Sequence, residues 1–322
     1  MANFQGLKMF EYRIQKAWEN YKEDFGLGRI LIFQAFVNLF FFFISFIFFG
    51  GPDGLALLPV VISLIVLFFR PAILRANDLT KIISIAVPAG FSILINYYLM
   101  GEFDRAVGGL QRRDSLFHAF DMALFSKPVS FYYEKILGNI GLLGNLIYDF
   151  MMISYMLFYI FPIAAAATYY ISLPSHERYR VGRLFFSITL FFAINYLLFL
   201  LVPVTGPQYW LQDLYTAQLP LTSFGHGLWS IVYQGQTTFI DCFPSGHTGL
   251  TFLVTIWVFR INHPIRYFFA GACLLIINAT LALRYHYTMD LVAAFILALF
   301  CHRAAWLIIP VDIKAPFAPF KK

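Results

Sequence analysis

Long apolar runs separated by short polar breaks dominate the chain. A helix needs about 20 apolar residues to cross the roughly 30 Å hydrocarbon core of a bilayer. On that measure the pattern predicts eight spans, over 28–49, 55–70, 82–100, 146–170, 181–203, 246–260, 266–284 and 289–309. Gly50, Gly51, Pro52 and Gly54 separate the first from the second, since glycine and proline punctuate helices. Ahead of them Phe10, Ile14, Trp18, Tyr21 and Phe25 recur at helical spacing, with Lys8, Arg13, Lys16 and Lys22 between. That pattern predicts an amphipathic helix lying on the membrane surface, within 1–27. Three N-terminal spans then fill 28–100, a long segment follows over 101–145, a transmembrane core takes 146–310, and a short tail takes 311–322. Within 101–145, Leu116, Phe120 and Leu124 share one stripe of a predicted surface helix that ends at Lys127-Pro128. A second long segment, 204–245, opens with the turn cluster Pro203-Val204-Thr205-Gly206-Pro207;.

Composition agrees with this pattern. Apolar residues are 60% of the chain and charged residues 12%, against about 45–50% and about 25% in soluble domains. Disorder requires the opposite balance, and three scattered cysteines do not make a disulfide framework;. The fold class expected is therefore all-α, a polytopic membrane protein of about eight transmembrane helices. Charge orients it. With eight spans both ends lie on one side, and that side collects 17 of the Lys and Arg residues, against six on the other. The positive-inside rule then puts both termini in the cytoplasm and the two long segments on the periplasmic, extracellular or lumenal face. The net charge of +6 reflects topology, and no basic reading surface or motif points to nucleic acid.

Polar residues at membrane depth are costly and need a reason. Two clusters stand out: Cys242-Phe243-Pro244-Ser245-Gly246-His247-Thr248 opens the sixth span, and Arg284-Tyr285-His286-Tyr287-Thr288-Met289-Asp290 opens the eighth. The seventh span returns the chain, so both clusters meet at the outer face. His247 precedes Arg260 by 13 residues and Asp290 precedes Arg303 by 13. Both therefore lie about 20 Å above the inner boundary, sunk about 10 Å into the outer leaflet. His286 and Asp290 stand four residues apart, on one helix face;. The carboxylate can hold the proton of one imidazole nitrogen and leave the other as a nucleophile, with His247 as the acid for a leaving oxygen. Ser245 and Gly246 before a helix N-terminus offer a cradle for phosphate. A zinc site on His247, His286 and Asp290 is an alternative, without the H-E-x-x-H signature. A serine hydrolase on Ser245 lacks the G-x-S-x-G elbow. No cysteine is indicated as an active group: Cys273 and Cys301 fall within spans, and Cys242 has no evident partner.

Pro244-Ser245-Gly246-His247 and His286-Tyr287-Thr288-Met289-Asp290 resemble the second and third motifs of the type 2 phosphatidic acid phosphatase superfamily. The resemblance covers roughly 146–310 and implies a six-helix membrane-embedded catalytic core that works without metal or other cofactor, through a phosphohistidine. It implies His286 as nucleophile, Asp290 as its orienter, and His247 as general acid and later base. The phosphatases also carry a first motif, Lys, six residues, then Arg-Pro. Here the only Arg-Pro is Arg70-Pro71, Ser63 stands where the Lys would be, and the pair falls on the inner side. The Arg six residues before the third-motif His is Thr280. These departures, with the stretch from Arg183 to Pro207, resemble the fungal inositol phosphorylceramide synthase branch.

The function expected is therefore an integral membrane lipid phosphotransferase. It would move a phosphorylated head group, such as inositol phosphate, from a phospholipid to a lipid alcohol. The alternatives are a lipid phosphate or polyprenyl pyrophosphate phosphatase with the same residues, and a transporter or scaffold that keeps only the fold. Membrane lipids are the expected partners. Arg284, His226, Arg112, Arg113 and Lys127 are the outer-side candidates for neutralising the phosphate, with Arg284 first because it lies two residues from His286. Interfacial snorkelling explains Arg284 equally well.

Overall fold

Residues 26–49, 54–215 and 218–308 are described by the structure, a computed structural model. The expected surface helix over 1–27 falls outside this set apart from Gly26 and Leu27, and so does the 311–322 tail. The described residues are helical, with an isolated bridge between Val204 and Asp241 as the one β pairing among them. In chain order α1 is Leu27–Phe49, α2 Gly54–Phe68, α3 Arg70–Leu74, α4 Asp78–Ala106, α5 Asp114–Phe125, α6 Val129–Leu137 and α7 Leu142–Met156. Then follow α8 Phe161–Ser172, α9 Val181–Leu201, α10 Pro207–Trp210, α11 Ser223–Gly235, α12 Gly246–Val258, α13 Ile265–Ala282 and α14 Thr288–Ile308.

Among the described residues, six helices are long and apolar enough to cross a membrane, and two of the expected spans, Gly54–Phe68 and Gly246–Val258, are shorter apolar helices. Their outward faces carry large apolar side chains such as Phe36, Leu94, Ile163 and Phe268, each roughly 70% exposed. Such a belt suits lipid. The chain is an all-α, polytopic membrane protein.

Two span boundaries differ from expectation. The third is not 82–100 but the whole of α4, Asp78–Ala106, because Asn77 caps it early by accepting the Thr80 N–H at 2.9 Å;. The fourth starts at Leu142 and is interrupted at Leu157–Tyr159, before α8. Pro162 is the cause: it lacks an N–H and its ring crowds the preceding turn. The break turns Tyr155, Phe158 and Tyr159 onto the wall of a cavity described below.

α12 is the central helix, packed against α8, α9, α13 and α14. Its Leu253, Val254, Trp257 and Val258 are fully buried. Gly249 lets α9 come close: a Cβ there would lie 2.4 Å from the Phe191 ring. Helices α1, α2 and α4 pack on one another and join the rest through α9. A polar seam lines that junction, with the Asn96 amide donating to Asn38 Oδ1 at 3.0 Å, Asn38 to Ser92 Oγ at 2.8 Å and Gln34 to Thr189 Oγ1 at 3.3 Å. In a bilayer such groups hold helices together because lipid offers them no alternative partner.

Among the described residues, charged groups are held by neighbours at both ends of the helices. At one end the Arg183 and Arg260 guanidinium groups lie over the Trp306 ring, at 4.2 and 4.4 Å. At the other end the two long segments tie together. Arg112 forms a two-bond pair with Asp104 at 2.8 and 2.7 Å and also donates to Thr205 Oγ1. Asp114 accepts the Thr205 and Gly206 N–H groups at 3.0 and 2.8 Å. The α5 stripe of Leu116 and Leu124 faces outward, each nearly 60% exposed, while Asp114, Phe117 and Asp121 face inward.

Gly101 is where α4 touches this layer. A Cβ there would stand 2.1 Å from the Thr237 carbonyl oxygen, and backbone cannot swing aside as a side chain can. Gly101→Ala is expected to cost about 1–3 kcal/mol through overpacking. The check is a thermal melt in detergent, where the variant should unfold several degrees below the parent protein.

Candidate active site

The chain between α13 and α14 is reversed by Arg284, a non-glycine residue in the left-handed region (φ 67°). Its neighbours Tyr285 and His286 both donate their N–H groups to the Thr280 carbonyl, at 3.0 and 3.2 Å. The reversal places His286 just before α14 and Asp290 in its first turn. Asp290 is fully buried. Its Oδ2 accepts the Tyr287 N–H at 2.7 Å and the Cys242 thiol at 2.8 Å, and lies 3.4 Å from His286 Nδ1. Its other oxygen, Oδ1, has no protein partner. The second cluster docks on the first through backbone: the Ser245 N–H donates to the Asp290 carbonyl at 3.2 Å.

Ser245 is the N-cap of α12, its hydroxyl oxygen accepting the Thr248 N–H at 3.2 Å. That leaves the first-turn N–H groups of Gly246 and His247 without intrahelical partners, beside the positive end of the helix. The His247 ring stacks on Tyr155 at 4.2 Å and packs against Phe158 at 4.0 Å. It faces His286 with 6.4 Å between ring centroids. Asn195 of α9 fixes the turn before α12 by donating to the Pro244 carbonyl at 2.8 Å.

His247, His286, Gly246 and Cys242 open on a cavity of about 400 Å³. Tyr97, Tyr155, Tyr159, Tyr196, Tyr209 and Tyr285 also line it, with Asn195, Gln208, Gln236 and Asp241. Asp241 is held by the Tyr97 hydroxyl at 2.7 Å and the Gln236 amide at 3.4 Å, and burial raises its carboxyl above the usual carboxylate range;. Several buried polar atoms of the lining have no protein partner: Asn195 Oδ1, Gln208 Oε1, Tyr285 Oη and His247 Nε2. A buried polar atom without a partner is costly.

The structure brings His247, His286, Asp290, Ser245 and Gly246 together. It does not bring the five basic candidates to the cavity wall. Arg284 turns away, with its guanidinium over the Tyr215 ring at 3.8 Å and 3.3 Å from Glu134. Arg112 is committed to Asp104 and reaches the lining only through Thr205. Arg113, Lys127 and His226 are exposed elsewhere. Closeness in sequence to His286 misled in the case of Arg284, because the left-handed turn sends consecutive side chains in different directions. His118 packs against Trp210 at 5.7 Å, and Asp121 accepts the Thr288 N–H at 3.1 Å, so it caps α14.

Sequence reasoning missed Cys242, Asn195, Asp241 and the tyrosine lining. Cys242 had a signal, three residues before Ser245. Asn195 and the tyrosines had none, because they come from other helices. Among the described residues Cys242, His286 and Asp290 are a donor set able to hold a metal ion, their ligand atoms within 4.8 Å of one another. The cysteine thus stands where sequence reasoning considered His247. Burial first, then the Asp290 carboxylate, pushes the Cys242 thiol well above its ordinary range, so the free site holds it as a thiol.

Asp121 is pushed up to about 6, burial being the main cause and Asp290 adding to it. A carboxyl raised in the fold favours the folded state at low pH. That stability is lost as pH rises from about 4 through 6, on the order of 2 kcal/mol. The melting temperature is expected to fall over this window, and Asp121→Asn should flatten the fall.

A family model described as PAP2 superfamily matches residues 126–304, more than half of the chain. A PA-phosphatase related-family protein of Dictyostelium discoideum is 29% identical over 129 residues, which cover 39% of this chain and 23% of that protein. The chain thus spans less than a quarter of that relative's length. No solved structure matches.

Proposed function

We propose, from the premise that this chain belongs to the PAP2 superfamily, that it is a lipid phosphotransferase working through a phosphohistidine on His286. Membership supports a lipid phosphatase or phosphotransferase in general. The observation that carries the finer reading is the facing pair His286 and His247, 6.4 Å between ring centroids, with Asp290 behind His286. Both rings line one cavity, so one phosphoryl group can meet them together;.

Asp290 Oδ2, 3.4 Å from His286 Nδ1, favours the tautomer with its proton on Nδ1 and leaves the Nε2 lone pair free;. Nε2 attacks phosphorus and the bond to the diacylglycerol oxygen breaks. Protonated His247 gives that oxygen its proton. His247, now neutral, then takes the proton of an acceptor alcohol, whose oxygen displaces Nε2 from phosphorus. The charge on the phosphoryl oxygens meets the first-turn N–H groups of α12.

The lining favours transfer over monoester hydrolysis. Among the described residues no Lys or Arg lines the wall, which suits the single charge of a phosphodiester better than the double charge of a phosphomonoester. The unpartnered Asn195, Gln208 and Tyr285 oxygens and the Asp241 carboxylate suit a head group rich in hydroxyl donors. That supports inositol phosphate as the first head group to try, in keeping with the inositol phosphorylceramide synthase resemblance. The count along the sequence, 17 cationic residues in the segments expected on one side of the spans and six in those expected on the other, supports cytoplasmic termini and a cavity opening to the opposite face;.

The test follows a phosphate label in the head group of phosphatidylinositol, using purified protein in liposomes with and without a ceramide acceptor. Label is expected in a new lipid only when acceptor is present. Asp290→Ala should lower turnover about 10³–10⁴-fold, and His286→Ala should abolish it, with both variants still eluting as folded protein. Full activity in His286→Ala would sink the scheme. Water-soluble label regardless of acceptor would make the protein a hydrolase.

A further inference from the structure

We infer that Cys242, His286 and Asp290 form a binding site for zinc, and that zinc in this site switches the enzyme off. The site rests on geometry alone. Its effect on turnover rests on the reading of His286 as the nucleophile.

The three donor atoms form a small triangle. Cys242 Sγ is 2.8 Å from Asp290 Oδ2 and 3.4 Å from His286 Nδ1, and His286 Nδ1 is 3.4 Å from Asp290 Oδ2. Zinc bonds to sulfur at about 2.3 Å and to imidazole nitrogen or carboxylate oxygen at about 2.0–2.2 Å. A tetrahedral ion with those bonds separates its ligand atoms by roughly 3.3–3.6 Å. The triangle is therefore within a few tenths of an ångström of a zinc face, apart from the sulfur–oxygen edge, which must open further. Asp290 has a second way to meet the ion: its Oδ1 is fully buried and without a protein partner. All three residues are at least nine-tenths buried, so the ligands are already ordered. Cys242 and His286 both line the cavity, which gives the ion a path in and leaves its fourth position for water.

The donor chemistry selects the metal class. A thiolate, an imidazole and one carboxylate suit zinc and other soft or borderline divalent ions. Magnesium and calcium require oxygen ligands. Without metal, the contacts are ordinary hydrogen bonds: the thiol donates to Asp290 Oδ2, and Nδ1 lies within reach of both.

The proton balance explains the inhibition. As zinc enters, the Cys242 thiol loses its proton to water and the Zn–S bond forms. Nδ1 must offer its lone pair to the ion, so the imidazole proton moves to Nε2. One proton is released in all. The nitrogen that attacks phosphorus now carries a hydrogen and has no lone pair to give. Asp290, bound to the metal, no longer orients the ring. The same three contacts thus serve turnover without metal and block it with metal.

Cobalt(II) alone is the probe, because a cobalt–thiolate bond absorbs in the near ultraviolet and needs no turnover to be seen. Metal-stripped protein titrated with cobalt should gain that absorption at one equivalent. Zinc should displace it, and Cys242→Ser should lack it. Cobalt absorption that persists in Cys242→Ser, or none in the parent protein, overturns the site. In the transfer assay, micromolar zinc should lower the parent rate at least tenfold and EDTA should restore it. The activity that Cys242→Ser retains, whatever its level, should change less than twofold with zinc. Should Cys242→Ser fail to fold, His286→Ala replaces it in the titration, where loss of the nitrogen ligand should weaken cobalt binding at least tenfold; unchanged binding overturns the site. A cobalt–thiolate band without inhibition by zinc keeps the site and contradicts His286 as the nucleophile. Inhibition without the band contradicts the site.

Discussion

The Asp290 carboxylate is the contact on which the rest of the site depends. One oxygen gathers the Tyr287 N–H, the Cys242 thiol and the neighbourhood of His286 Nδ1. The carbonyl of the same residue takes the Ser245 N–H. A fully buried charge is tolerable only where donors surround it, and here the donors come from both motifs. The starts of α12 and α14 are thereby held in one register. The helix packing beneath them, with α12 at the centre and Gly249 against Phe191, keeps the two starts at the same height. His247 and His286 face each other because of that constraint.

The layer above depends on the same economy of buried carboxylates. Asp114 takes two N–H groups of the 204–206 turn and the Tyr287 hydroxyl at 3.2 Å. Asp121 caps α14 and Asp104 holds Arg112. These inward carboxylates order the 204–206 turn, the start of α14 and the chain after α4, and apolar faces such as that of α5 are left outward. Surface helices in soluble proteins do the reverse. A bilayer accepts the inversion because the medium outside is as apolar as the core.

Much of this was legible in the sequence. The apolar runs gave the membrane class and most spans, since span length is fixed by bilayer thickness. The matched positions of His247 and Asp290 ahead of Arg260 and Arg303 pointed to the two clusters meeting. Less legible was anything set by tertiary contact. The break at Leu157–Tyr159 came from Pro162 within an otherwise continuous apolar run. Asn195, Asp241 and Tyr97 reach the cavity from three separate parts of the chain. Cationic residues were the least readable. Arg112 and Arg284 were read as phosphate ligands from their side of the membrane, yet each is spent on a carboxylate of the protein itself. A sequence shows that a charge is present but not which opposite charge the fold brings to it.

The central claim is that phosphorus becomes bonded to His286. The most direct measurement is mass spectrometry of the protein after a brief exposure to donor lipid without acceptor, quenched under denaturing conditions at alkaline pH, where a phosphohistidine survives. The account predicts the mass of the head-group phosphate on the peptide containing His286, and its disappearance on addition of a lipid alcohol. Turnover with no adduct on that peptide, or with the adduct on another residue, would contradict it.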